Sequence, residues 1–392
     1  MKREHRRLVM TPGPTEVEEP VRRALAQPMT NPDVDGDFVR FYEGLAAKLG
    51  RLMGTAHPVL ILTGEGMLGL EAAVASLVEP GEPVLVVSNG IFGRGFGDLV
   101  ARYGGRPVMV EVPFDRPPAP EELEAALAAH PQIRVATLVH CETPTGFLNP
   151  VEELLPVLRA HDVITIVDGV SSLGADPVAT DAWGVDLLLG ASQKALSAPT
   201  GLAFLSVSDR AWEKMERRRQ PIPGFYTNLL EWKRTWLDPA DRSFPYTPAA
   251  ALLAALDAAC DAVLAEGLEQ VLARHRRLAQ AVRTALRGAG FRLFAPDAHA
   301  ASGVTAFWVP EGVDERGFRQ RLWEEQGVLM GGSVGEMAGR LWRVGHMGAG
   351  AREERLFRFM VALEAQCRAE GIGLQGSPAA LFVEALQEEV GE

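Results

Sequence analysis

Two residues of the chain, Lys194 and Asp168, have types and positions that suit chemistry on a pyridine aldehyde. Asp168 follows a buried strand predicted at 163–167, and Lys194 follows a strand predicted at 186–189. A lysine amine condenses with an aldehyde to form a Schiff base. A carboxylate beside a pyridine nitrogen keeps that nitrogen protonated, so the ring accepts electrons from a substrate carbanion. Together, the two residues predict an enzyme that works through such a ring.

The elements that position these residues alternate between short apolar runs and amphipathic stretches, up to about residue 255. Strands are predicted at 83–87, 134–139, 163–167, 186–189 and 202–206, with helices between them, for example at 121–129 and 151–160. This alternation indicates an α/β fold whose mostly parallel sheet is covered on both faces. Ligands bind such sheets outside the carboxyl ends of the strands. We therefore expect Asp168 and Lys194 at one edge of the sheet.

A second, smaller α/β domain is predicted towards the end of the chain. Strongly helical patterns at 249–264 and 268–286 would carry the chain out of the large domain, and strands at 304–309 and 341–344 follow them. The predicted division is an N-terminal arm at 1–16, a large cofactor-binding domain at 17–262 and a small C-terminal domain at 263–392.

The amino-acid composition indicates which binding partners are disfavoured and which cellular compartment is expected. Lys and Arg total 39 against 51 Asp and Glu, so the net charge is −12. Such a charge disfavours non-specific binding to nucleic acid or to an anionic membrane. No apolar stretch typical of a signal peptide follows the charged N-terminus. Three widely spaced cysteines (Cys141, Cys260 and Cys367) support neither disulfides nor a metal site, so a cytoplasmic location is expected.

The segments around the two residues resemble the class V aminotransferases. Residues 168–174 read DGVSSLG and residues 190–201 read GASQKALSAPTG, while TPGPT at 11–15 matches the N-terminal loop of the alanine–glyoxylate and serine–glyoxylate branch. The resemblance covers about residues 8–365. It implies fold type I with a seven-stranded-type sheet and a small domain. It also implies pyridoxal 5'-phosphate as cofactor, small amino and keto acids as substrates, and a homodimer with shared active sites.

The resemblance further implies roles for single residues. Lys194 would hold the cofactor as a Schiff base, and Asp168 would meet its pyridine nitrogen. Arg343 would grip the substrate carboxylate, because its guanidinium fork fits a planar carboxylate. Further contacts are implied for the stacking ring Phe92, the hydroxyl of Thr143 near the ring oxygen, the phosphate ligand Gln193, Thr247 reaching the phosphate of the other subunit, and Val170, Tyr246 and Gly13.

The turn at 63–67, TGEGM, departs from the family pattern. A glycine-rich turn that opens a helix is an anion site, because its free N–H groups point outward. The family usually places Ser with Thr or His here to bind the phosphate, whereas this chain has Glu65 and Met67 beside Gly66. A carboxylate facing a phosphate costs roughly 1–4 kcal/mol. Glu65 either points away, or pairs with a cation, or lines a pocket that holds no phosphate.

Two alternatives to a phosphate-dependent alanine– or serine–glyoxylate (or –pyruvate) aminotransferase follow. The Glu65 turn also resembles pyridoxamine–pyruvate aminotransferase, which takes unphosphorylated pyridoxamine as a substrate. Against this alternative, Gln193 keeps the phosphate-binding type of residue, and Val334 stands where that enzyme carries a second arginine. The other alternative is a non-catalytic binding protein on the same fold, which the retention of Asp168 and Lys194 disfavours.

Overall fold

The computed structural model describes residues 7–388, so the outer ends of the predicted arm and of the predicted small domain lie outside the described residues. Its strands are β1 Leu8–Met10, β2 Val59–Thr63, β3 Pro83–Ser88, β4 Arg106–Glu111, β5 Val135–Val139, β6 Cys141–Glu142, β7 Phe147–Leu148, β8 Ile164–Asp168, β9 Leu187–Ala191, β10 Leu202–Val207, β11 Val304–Trp308, β12 Val328–Gly332 and β13 Leu341–Gly345. Its α-helices are α1 Glu19–Leu25, α2 Gly36–Met53, α3 Gly66–Leu77, α4 Ile91–Arg102, α5 Pro120–Ala129, α6 Val151–Ala160, α7 Thr180–Trp183, α8 Asp209–Glu216, α9 Leu229–Trp232, α10 Ala250–Glu266, α11 Leu268–Gly288, α12 Glu315–Gln326, α13 Glu353–Ala369 and α14 Pro378–Glu388.

A seven-stranded sheet forms the centre of the larger part of the molecule. Its strand order is β2-β10-β9-β8-β5-β3-β4, and only β10 runs antiparallel to its neighbours. Two antiparallel steps restore the direction, so β2 ends at the same edge as β9, β8, β5 and β3. The prediction of a mostly parallel α/β sheet is confirmed, and the polar residues that follow these strands meet at one edge.

The apolar runs explain why this sheet forms. Every residue of β3, β5, β8, β9 and β10 is buried, as a sheet covered on both faces requires. Burying one Val or Leu side chain fully contributes about 1.5–3 kcal/mol relative to leaving it exposed. The helices that cover the faces bury one apolar side each, as α2 does with Tyr42, Leu45 and Leu49. The sheet therefore provides a rigid base for the turns at its carboxyl edge.

A second sheet of four strands, ordered β1-β12-β13-β11, has its own apolar core. Trp342 of β13 lies in this core and stacks on Phe318 of α12 with 4.3 Å between ring centroids. Strand β1 of the N-terminal arm pairs in parallel with β12, so the arm belongs to this sheet before it crosses to the large one. The domain boundaries at 16/17 and 262/263 stay predictions.

Two connections bring the site segments together at the edge of the large sheet. The loop at 11–15 is tied to the turn after β9, because Thr15 donates from its N–H to the carbonyl of Gln193 (3.0 Å) and from its hydroxyl to the carbonyl of Lys194 (3.0 Å).

Between residues 7 and 388, no helix has the length and apolar character needed to cross a membrane.

Candidate active site

Lys194 and Asp168 line the same cavity of about 270 Å³, at the edge where the sequence predicts them. Asp168 ends β8 and is buried, and its Oδ1 accepts a hydrogen bond of 2.8 Å from the backbone N–H of Val170. Lys194 donates from Nζ to the carbonyl of Pro12 at 3.1 Å. The two side chains therefore enter one space from adjacent strand ends.

Burial disfavours the charged form of both groups and therefore shifts both pKa values. It raises the pKa of Asp168 to about 6, against the opposing effects of the Val170 N–H and the Lys194 charge. Burial also lowers the pKa of Lys194, and the nearby carboxylate of Asp168 opposes that shift. A carboxyl group with a raised pKa beside an amine with a lowered one is typical of a catalytic cleft.

Most of the residues predicted for the site share this cavity. The predicted residues that line it are Gly13, Glu65, Gly66, Met67, Phe92, Thr143, Asp168, Val170, Gln193 and Lys194. Gly13 packs directly on the lysine: a Cβ at this position would lie 2.5 Å from Cδ of Lys194, and φ is +110° there. Glycine is required at Gly13 by both its backbone conformation and the close approach of the lysine.

The turn before α3 and the start of this helix line the cavity. Glu65 stands at the N-cap position, and its side chain makes no capping hydrogen bond. Gly66 packs closely on the wall, since a Cβ here would lie 3.2 Å from Cγ2 of Val170. The first N–H groups of a helix have no partner within the helix, so this end offers donors to an anion. Glu65 adds a negative charge beside them, and Lys194 is the single cationic side chain that residues 7–388 contribute to the cavity lining.

Thr143 and Phe92 also line the cavity. The hydroxyl of Thr143 lies 2.5 Å from the hydroxyl of Ser171, which follows Asp168 on the next strand end. Phe92 belongs to the first turn of α4 and is half-buried. A ring placed against Asp168 would therefore find a hydroxyl pair and an aromatic side chain in its surroundings.

Gln193 carries an unpaired polar atom. Its side chain is buried, and its Oε1 has no hydrogen-bond partner among residues 7–388. An unpaired buried amide is costly, so such a group in a native site calls for a ligand or ordered water. Because the amide can present either its oxygen or its nitrogen, Gln193 can donate to an anion in the cavity.

Arg343 lies beside the cavity and contacts its lining at Thr143. Its Nε donates to the carbonyl of Gly332 at 2.8 Å, and its Nη1 donates to the carbonyl of Thr143 at 3.1 Å. Burial, with a smaller contribution from the charge of Arg319, lowers the pKa of Arg343 to about 10. A guanidinium group has five N–H donors, so the two bonds leave donors for a carboxylate.

Tyr246 and Thr247 lie outside the cavity of the single chain. Tyr246 stacks on Tyr226 with ring centroids 4.4 Å apart and accepts a hydrogen bond of 3.3 Å from Nε1 of Trp232. Thr247 is exposed, and its hydroxyl donates to a carboxylate oxygen of Asp33 at 3.0 Å. The cofactor contacts expected of these two residues stay predictions, and that of Thr247 requires a second subunit.

Other residues belong to the site without having been predicted. Thr200 and Ser171 line the cavity, and the Pro12 carbonyl receives the lysine amine. Glu142 is buried behind Phe92 and binds the backbone of α4. Each lies within or next to a segment that resembles the family, so the segments pointed to the region but not to these atoms.

His346, which follows Arg343 closely in the chain, has a structural role. Its Nδ1 lies 2.9 Å from the carbonyl of Ser302, and its Nε2 lies 2.8 Å from the hydroxyl of Thr305. Burial lowers the pKa of His346 to about 3, so the imidazole is neutral at physiological pH. It joins β13 to the segment before β11 and does not line the cavity.

The residues present fit a pyridoxal ring. Asp168 is a buried carboxylate suited to a protonated ring nitrogen, and Lys194 is an amine of lowered pKa. The unpaired amide of Gln193 and the start of α3 supply donors for a phosphate at one end. Glu65, at the start of the same helix, opposes the phosphate because its charge has the same sign.

Comparison with known proteins agrees with this fit. The model of the family "Aminotransferase class-V" matches residues 31–346. The pyridoxamine–pyruvate transaminase of Mesorhizobium japonicum is 35% identical over 96% of both chains. Among solved structures, the ureidoglycine–glyoxylate aminotransferase of Bacillus subtilis superimposes with a TM-score of 0.93 at 30% identity, covering 97% of this chain and 98% of its own. The pyridoxamine–pyruvate aminotransferase of Mesorhizobium loti superimposes with a TM-score of 0.92 at 33% identity, covering 98% and 99%.

These matches extend over nearly the whole chain, and they include proteins that transfer amino groups to glyoxylate or pyruvate. They confirm the predicted family, fold and enzyme class, in which the cofactor is pyridoxal 5'-phosphate. The chain is therefore a member of the class V aminotransferases, a pyridoxal 5'-phosphate-dependent family that acts on amino and keto acids.

Proposed function

We propose that this aminotransferase moves an amino group from a small L-amino acid, alanine or serine, to glyoxylate or pyruvate, with Lys194 as the residue that binds the cofactor. The observation that carries the proposal is the meeting of Lys194 and Asp168 in a cavity of about 270 Å³, with Arg343 hydrogen-bonded to the lining residue Thr143. One guanidinium beside so small a cavity suits a substrate with one carboxylate. The relatives include a pyridoxamine–pyruvate transaminase and a ureidoglycine–glyoxylate transaminase, which supports glyoxylate or pyruvate as the acceptor.

The roles of the chain's own groups follow from their surroundings. When bound, pyridoxal 5'-phosphate supplies a carbonyl that exchanges amines and a ring that accepts electrons. The carboxylate of Asp168 would lie against the ring nitrogen and, when ionised, would keep a proton on that nitrogen. Lys194 would take the proton from the substrate Cα and deliver it to the aldehyde-derived carbon of the cofactor, and its lowered pKa favours the neutral amine that this transfer requires. Arg343 orients the substrate carboxylate.

A second candidate is the transfer of the amino group from unphosphorylated pyridoxamine to pyruvate. Glu65 favours it, since this carboxylate stands at the end of the cavity where a phosphate would lie and has no capping bond to occupy it. A hydroxymethyl group could donate to Glu65, whereas a phosphate would be repelled. The similarity to the Mesorhizobium japonicum transaminase over 96% of both chains also favours it.

We further propose a homodimer in the cytoplasm. An aromatic cluster of Phe225 and Tyr226, each 52% exposed, packs with Tyr246, while Met67 at the cavity is 44% exposed. Exposed apolar groups of this kind favour association with a second copy, which would also bring Thr247 to a neighbouring cavity. The three cysteines are free and buried, which suits a reducing compartment.

Borohydride reduction after incubation with each cofactor form tests the two candidates. The first predicts a phosphopyridoxyl mass on the peptide that contains Lys194, a visible absorption band, and loss of that band on addition of alanine or serine. The second predicts an unphosphorylated adduct alone and turnover of pyridoxamine with pyruvate. Lys194→Ala is the control and should abolish the adduct in either case. An adduct on another lysine would overturn both candidates.

A further inference from the structure

We propose that Glu142 is a positioning residue that holds the first turn of α4, and with it the ring of Phe92, against the cofactor-binding cavity. The side chain of Glu142 is fully buried. Its Oε2 accepts a hydrogen bond of 3.1 Å from the N–H of Phe92, and its Oε1 accepts one of 2.7 Å from the N–H of Gly93. Both oxygens of one carboxylate are therefore engaged by the two residues that set the direction of the aromatic ring.

The start of α4 depends on this carboxylate because the helix has no side-chain cap of its own. The N-cap position is Gly90, which has no side chain to accept from the first N–H groups. A Cβ at Gly90 would lie 2.3 Å from Cδ of Glu142, so the glycine leaves the space that the carboxylate fills. The cap thus comes from β6, about 50 residues later in the chain.

The same short segment also holds the arginine beside the cavity. Thr143 follows Glu142 directly, and its carbonyl accepts the hydrogen bond from Nη1 of Arg343. The carbonyl of Glu142 itself accepts from the N–H groups of Thr145 and Gly146, at 3.2 and 2.9 Å, which fixes the turn. The first turn of α4, which carries the Phe92 ring, is bound to Glu142, and the guanidinium of Arg343 is bound to Thr143. Because Glu142 and Thr143 are consecutive, a movement of one of these groups should displace the other.

The first turn of α4 also contacts the loop at 333–340, which joins β12 to β13 in the four-stranded sheet. A Cβ at Gly335 would lie 2.8 Å from Cδ1 of Ile91, and Arg94 forms an ion pair with Glu336. Glu142 thus holds a turn that touches the cavity on one side and the other half of the molecule on the other.

The ionisation of Glu142 is set by the groups that face it. These are the N–H groups at the start of α4, Asp168 from β8, and the thiol of Cys141, which precedes it in β6. Burial, with a smaller contribution from the charge of Asp168, raises the pKa of Glu142 to about 7 against the opposing effect of the backbone N–H groups. Ionised, the carboxylate accepts from both N–H groups; protonated, it presents one oxygen as a donor and loses part of this grip. Glu142→Gln imitates the protonated form at every pH.

The test compares Glu142→Gln, Phe92→Leu and the double variant, with Asp186→Asn as a matched control. Asp186 is also a buried carboxylate that accepts a backbone N–H, from Thr165 at 3.0 Å, but none of its hydrogen-bond partners belongs to α4. The first readout is amide hydrogen exchange of the peptide covering 91–96 in cofactor-free protein. We expect exchange there to rise about 10-fold relative to other peptides in Glu142→Gln, the loss of one hydrogen bond to a charged group. In the control, which loses an ion pair, exchange at 91–96 should rise no more than exchange in the other peptides.

The second readout is the dissociation constant of pyridoxal 5'-phosphate, with the induced circular dichroism of its band. Glu142→Gln and Phe92→Leu should each weaken binding about 3- to 10-fold at pH 8, the value of an aromatic contact, and the double variant should weaken it no further. The ratio of variant to wild-type constants for Glu142→Gln should approach one as the pH falls below 7, because wild-type Glu142 then protonates.

Three outcomes would overturn the proposal. One is additive effects in the double variant, which would mean that Glu142 acts independently of Phe92. Another is unchanged exchange at 91–96 in Glu142→Gln. The third is an equal change of exchange or affinity in Asp186→Asn, which would indicate general loosening. The exchange readout needs no cofactor, so it separates failure of this inference from failure of the proposed substrates.

Discussion

Replacing Asp168 with asparagine should make the cofactor-free protein more stable at neutral pH while making the enzyme inactive. Asp168 is buried, and the one hydrogen bond that its side chain makes within residues 7–388 comes from the Val170 N–H to Oδ1. Asparagine keeps an oxygen that can accept this bond. The variant therefore removes a buried charge without removing the contact that positions the side chain.

The magnitude follows from the shifted proton affinity of Asp168. Burial raises its pKa from 3.8 to about 6. At about 1.36 kcal/mol per pH unit, ionising the folded carboxyl at neutral pH costs about 3 kcal/mol relative to the unfolded chain. Because the folded pKa is the higher one, the stability that the protonated group contributes is complete below pH 3.8 and is lost as the pH rises through 6. An asparagine side chain does not titrate, so the variant has no such loss.

Urea unfolding of cofactor-free wild type and Asp168→Asn, measured from pH 4 to pH 8, tests this. The free energies of unfolding should nearly agree at pH 4 and diverge to about 3 kcal/mol in favour of the variant above pH 7. Asp186→Asn serves as the control, because Asp186 is paired with Arg210 and its loss should destabilise the protein. A variant that is less stable than wild type at pH 8, or a difference that does not change with pH, would refute the reasoning.

Three further substitutions probe the cavity. Gly13→Ala places a Cβ 2.5 Å from Cδ of Lys194. Turnover should therefore fall about 100-fold, the usual effect of a small misplacement of a catalytic group, while the far-ultraviolet circular dichroism spectrum stays unchanged. Full activity would contradict this packing. Arg343→Lys should raise KM for the amino acid about 10-fold or more, since a charge-assisted bond is worth about 1.5–3 kcal/mol, with kcat changed less; an unchanged KM would remove Arg343 from substrate binding. Glu65→Gln should tighten pyridoxal 5'-phosphate binding about 5-fold or more, from the lower end of a repulsion of about 1–4 kcal/mol, and leave pyridoxal binding nearly unchanged; equal effects on both forms would place Glu65 away from the phosphate.

The arrangement of Asp168 and Lys194 could be predicted because it depends on a local pattern and one topological rule. Apolar runs with polar residues at their carboxyl ends identify buried strands, and parallel strands bring those ends to one edge. The direction of β10 was not predicted, since its apolar run reads the same in either direction. Its reversal does not disturb the site, because β2 is reversed a second time and still delivers Glu65 to the same edge.

Contacts that join distant segments could not be read from a local pattern. Strand β1 pairs with β12 about 320 residues later, and this pairing brings the Pro12 carbonyl to Lys194. A tripeptide strand has no periodicity of its own, and a carbonyl exists at every residue. Thr247 is a different case, because the contact expected of it requires a second subunit and the single chain holds its hydroxyl on Asp33.

Glu142 shows where the physical limit lies. Its neighbour Thr143 was predicted because the segment resembles a family, but the carboxylate beside it has no feature that distinguishes a solvated side chain from a helix cap. The residue that makes Glu142 a helix cap is Gly90. It has no side chain that could cap α4 itself, and it has no Cβ in the space that Glu142 occupies. A glycine at the start of one helix and an acid at the end of a strand four elements later make a single feature, and only folding brings them together. The N–H groups that Glu142 binds offset the desolvation of its carboxylate, so the position of the Phe92 ring and the ionisation of Glu142 are two aspects of the same contact.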